Sequence, residues 1–68
     1  MESRLLMGYQ VYVDDKPIGV RESLKEAKQL AEQHMIKKLP LRIESMVAPA
    51  PSRFWNYDYD IGQWVERL

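Results

Sequence analysis

Apolar residues recur along this chain with two different periods. Between Ser23 and Lys38, the residues Leu24, Ala27, Leu30, Ala31, Met35 and Ile36 return at three- and four-residue spacing, which gathers them on one face of an α-helix. Lys25, Lys28, Gln29, Glu32 and Gln33 fall on the opposite face. Ser23 and Glu26 have the spacing of a capping box, in which the serine hydroxyl accepts the N–H of the third helical residue and the glutamate reaches back to the serine N–H. Lys37 and Lys38 stand where the carbonyl end of a helix favours cations. Pro40 then biases Leu39 away from helical angles. The pattern predicts one helix over residues 23–38, with two alanines that let it lie close to whatever it covers.

On either side the period falls to two. Tyr9, Val11 and Val13 alternate with Gly8, Gln10 and Tyr12, the pattern of a half-buried strand, predicted over residues 5–13. Asp14, Asp15, Lys16 and Pro17 have the composition of a turn. Ile18, Gly19 and Val20 form a short second strand whose neighbouring proline suits a sheet edge. After the helix, Leu41, Ile43, Ser45 and Val47 share one face of a third strand over residues 41–47, with Arg42, Glu44 and Met46 on the other. Residues 48–52 hold two prolines and are expected to be a loop, since proline cannot pair in a central strand. Residues 53–59 make a fourth strand, with Arg53, Trp55, Tyr57 and Tyr59 alternating against Phe54, Asn56 and Asp58. Asp60, Ile61, Gly62 and Gln63 form the next turn, and residues 64–68 return as a fifth strand.

The resulting order is ββαβββ, an α+β fold of two layers with one helix packed on an antiparallel sheet. The 68 residues allow a single domain, 1–68, with residues 1–4 frayed. A chain of this size buries only about 60% of the surface it exposes when unfolded. Cysteine is absent, so no disulfide reinforces the core and thiolate metal sites are excluded. That usage suits a cytoplasmic protein. Ten basic residues balance ten acidic ones, which leaves no global field to attract nucleic acid or anionic lipid. No apolar run approaches the roughly 20 residues of a membrane span.

Candidate chemistry changes this picture little. His34 is the one histidine, and no nucleophile or orienting group accompanies it in a recognisable pattern. The three glycines are isolated, so no phosphate-binding loop is formed. The reading is non-enzymatic, with no cofactor. Asn56, Asp58, Asp60 and Glu66 invite comparison with a calcium loop, but Ile61 stands where the template needs glycine and Arg67 where it needs the closing glutamate. No metal is expected.

The aromatic residues carry the functional expectation. Trp55, Tyr57 and Tyr59 share a face of the fourth strand, and Trp64 follows the turn that brings it opposite the Tyr57–Tyr59 end of that strand. They form either core or an exposed platform flanked by Arg53. One helix cannot cover both faces of a five-stranded sheet, so the face it leaves bare, or a sheet edge, is expected to bind protein, self-association as a homodimer included. The candidate binding residues are Arg53, Trp55, Tyr57, Tyr59 and Trp64. The alternative is a nucleic-acid module in which the aromatics stack bases and arginines reach the backbone. Zero net charge, and Asp58 and Asp60 within the aromatic run, disfavour it.

Overall fold

A computed structural model describes residues 8–45 and 53–67. The expectations placed on residues 1–7, 46–52 and 68, including the proline loop and the outer ends of three strands, lie outside the described residues. The elements are β1 (Tyr9–Val13), β2 (Lys16–Arg21), α1 (Leu24–Glu32), a 3₁₀ turn (Met35–Lys37), β3 (Leu41–Ser45), β4 (Phe54–Asp58) and β5 (Gln63–Arg67). The strands form one antiparallel sheet in the order β2-β1-β3-β4-β5. α1 packs on β1 and on its neighbours β2 and β3. The fold is the two-layer α+β arrangement that the two periodicities imply.

Core formation follows strand parity. Val11 pairs with Ile43 and Ile43 with Trp55, and directly paired residues project from the same side of a sheet. This row projects from the side of the sheet that carries α1. With Val13, Leu41, Ala27 and Ala31 it makes the buried core. The two alanines are fully buried and permit close approach of the helix. Gly19 permits it too, since a Cβ there would lie 3.2 Å from Leu30 Cδ2.

The first hairpin differs from its expected form. Asp14 and Asp15 alone make the turn, both at positive φ (54° and 65°), as a two-residue turn of the primed kind demands. Lys16 and Pro17 therefore belong to β2, where Pro17 pairs with Tyr12 and the register shifts between Val11 and Tyr12. β2 is an edge strand, so the missing proline N–H costs no ladder bond.

The helix begins where its cap predicts. Ser23 Oγ accepts the Glu26 N–H at 3.1 Å, and the hydroxyl donates to Glu26 Oε1, also at 3.1 Å. The glutamate thus grips the serine side chain in place of its N–H. Ser23→Ala is expected to cost about 1 kcal/mol, read as a lowered midpoint in urea. The far end is shorter than expected: α1 closes at Glu32, and Lys37 and Lys38 fall in and after the 3₁₀ turn, with Lys38 left-handed at φ 53°. Ile36, expected on the apolar face, is 90% exposed. The cause is length. A helix over residues 23–38 would span about 24 Å, whereas five strand residues span about 17 Å, so it would overrun the sheet.

Candidate functional site

The sheet has two unlike faces. All five candidate residues lie on the face that carries the helix. Trp55 is buried, at 7% exposure, and meets Tyr9 edge-on with ring centroids 5.9 Å apart. Tyr57 pairs with Trp64 across the β4–β5 hairpin. Its ring lies edge-on to Trp64 at 5.4 Å and to Tyr59 at 4.9 Å. These three are half-buried and pack against the core.

Polar tips of this group are tied down as well. The Trp64 indole N–H donates to Glu32 Oε2 at 3.0 Å, fastening the end of α1 to the last strand. Tyr59 donates to the Leu39 carbonyl at 2.6 Å. Burial there, and secondarily the phenol of Tyr57, push the Tyr59 phenol above its ordinary value of 10.0. Arg53 stacks over Trp55, with Cζ 5.3 Å from the ring, and its Nε donates to Glu66 Oε2 at 2.6 Å. The structure brings the four aromatics together as one side of the core, with Arg53 exposed beside Trp55, and places none of the five on the bare face. The reason is the β3–β4 register: Ile43 opposite Trp55 commits the whole alternating set to the helix side.

The bare face is built from the intervening positions, in two rows. Val20, Gln10, Glu44, Phe54 and Arg67 are successive cross-strand partners, as are Pro17, Tyr12, Arg42, Asn56 and Val65. Tyr12, Arg42, Glu44, Phe54 and Val65 are each half-buried with no helix above them. The Arg42 guanidinium lies 4.3 Å from the centre of the Tyr12 ring, a stack that holds a long side chain in one orientation. Arg42 also approaches Asp15 at 4.0 Å, and Tyr12 donates to Glu44 Oε1 at 3.3 Å. Arg42 Nε is buried and has no hydrogen-bond partner among the described residues. Toward β5 the face sinks into an open depression of about 360 Å³, lined by Asn56, Asp58, Val65 and Arg67 with Tyr57, Tyr59 and Asp60.

The acidic turn has a local role. Asp58 Oδ1 accepts the N–H groups of Asp60 (2.9 Å) and Ile61 (3.4 Å), and Gly62, at φ 68°, closes the turn by donating to the Asp58 carbonyl at 2.8 Å. His34 is exposed at the bend between α1 and the 3₁₀ turn. Among the described residues, no helix is long and apolar enough to cross a membrane.

Sequence reasoning missed Tyr12, Arg42, Phe54 and Val65 as members of one surface. The signal was present in the alternation, which sets Arg42 and Phe54 opposite the apolar Ile43 and Trp55. Comparison with protein-family models, curated proteins and solved structures finds none that matches this chain.

Proposed function

We propose that the chain is a small non-enzymatic protein-binding module whose helix-free sheet face docks a protein partner, in the cytoplasm. The observation that supports this is the make-up of that face. An oriented arginine stacked on Tyr12 stands beside Phe54, and charges of both signs surround them. Tyrosine, phenylalanine and arginine are the residue types enriched at protein interfaces, and a held arginine loses less freedom on binding than a mobile one. The competing reading places single-stranded nucleic acid on Tyr12 and Phe54, with Arg42 and Arg67 against phosphates. Glu44 and Asp58 share that face and would repel the backbone.

A photo-cross-linking residue in place of Phe54 tests the proposal in the cells that make the protein. Adducts that protease destroys and nuclease spares are expected. They should vanish when Arg42→Glu is added, and should not form from the same cross-linker at Ile36. Nuclease-sensitive adducts at Phe54 would overturn the reading in favour of nucleic acid.

A further inference from the structure

We infer that two copies of this chain pair through the outer edge of β5, joining their sheets antiparallel about a two-fold axis. The inference starts from a difference between the two edge strands. Edges are templates for pairing, and proteins guard them with proline, lysine, bulges or short length. β2 carries Lys16, Pro17 and a register shift. β5 carries no proline, lysine or register shift: it reads Gln63, Trp64, Val65, Glu66 and Arg67, and all five pair with β4 in unbroken register. Among the described residues nothing pairs with its outer side.

The sequence of β5 is complementary to itself in one register. In a symmetric antiparallel pair residues with outward-pointing backbone groups face one another and so do those pointing inward, so partner numbers must share parity. Three registers keep most of the strand paired. Centring on Glu66 opposes two carboxylates, and centring on Trp64 leaves Arg67 outside the ladder. Centring on Val65 uses all five residues. It sets Val65 against Val65, Gln63 against Arg67 and Trp64 against Glu66, with no like charges opposed. Glu66 is already neutralised by Arg53, and the balanced charge of the chain opposes no such approach. Because the same strand serves both copies, the contact is closed and stops at two. The guarded β2 edge does not extend it into a fibre.

The axis would stand perpendicular to the sheet, so both helices lie on one side and both bare faces on the other. Five strands at about 4.8 Å and five residues at about 3.4 Å give each face on the order of 400 Å². A stable interface needs about 800 Å² per partner, which two joined faces supply. This last point rests on the open-face reading; the edge pairing does not.

The absence of cysteine makes the test clean. Single variants Val65→Cys, Gln63→Cys and Arg67→Cys are oxidised at equal concentration and sized on non-reducing gels. Val65→Cys is expected to shift from 8.1 kDa to twice that mass, since facing Cβ atoms lie about 4.5–5.5 Å apart. Gln63→Cys and Arg67→Cys should each stay monomeric alone and form the disulfide dimer when mixed. Those two positions are exposed, so they carry the test even if the Val65 variant folds poorly. The pairing is overturned if the mixture of the two fails to cross-link, or if Ile18→Cys on β2 cross-links as readily.

Discussion

Trp55→Ala is expected to lower stability by about 3–5 kcal/mol, the cost of deleting a large buried aromatic and leaving its cavity. At roughly 0.05–0.15 kcal/mol per residue, a 68-residue chain has on the order of 3–10 kcal/mol in all, so this one change approaches the whole. Trp55 closes the core row that runs from Val11 through Ile43, and it carries the edge-on contact with Tyr9. Phe54, the adjacent residue, projects from the other face and is only half-buried. Phe54→Ala should therefore cost much less. Urea titration followed by far-ultraviolet circular dichroism separates the two. Equal losses would mean that the strand does not present one residue to the core and the next to the bare face.

Ile43→Ala should follow closely, at about 2–5 kcal/mol. Ile43 is fully buried in β3, the middle strand of five, where neighbours on both sides and the helix above prevent collapse into the space vacated. Leu30 is the useful contrast. From the helical period alone it looks like the centre of the apolar face, yet it is half-buried, lying over Gly19 toward the β2 edge. Leu30→Ala should be the milder of the two in the same titration. The reverse order would place the centre of the core under the edge strand and not under β3.

Local signals explain what was legible in the sequence. The helix start was readable because Ser23 and Glu26 form the cap between themselves. The alternations in β1 and β3, the edge position of β2 and the return of Trp64 beside the Tyr57–Tyr59 end of β4 were equally local. The helix end was not, because a helix reaching Lys38 would overrun the strands beneath it, which is a non-local limit, and Lys37, Lys38 and Pro40 are compatible with either length. The first turn was misjudged by two residues because Asp14 and Asp15 adopt the left-handed region without glycine or asparagine to announce it. The candidate site depended on a fact of another kind. Alternation groups Arg53 with Trp55, Tyr57 and Tyr59, but only the non-local register Ile43–Trp55 says which side of the sheet that group takes. The aromatics consequently build the core side, and Tyr12, Arg42, Phe54 and Val65 are left to face outward.

That division of the sheet into an aromatic core face and an open face of stacked arginine and aromatics is tested most directly by Trp55 alone. Trp64→Phe keeps a ring beside Tyr57 and leaves Trp55 as the sole indole. Its fluorescence should then lie at short wavelength and resist quenching by iodide in the folded protein, and should move to long wavelength with full quenching only in urea. An indole already quenched by iodide before unfolding would put Trp55 on the solvent side and reverse the assignment of the two faces.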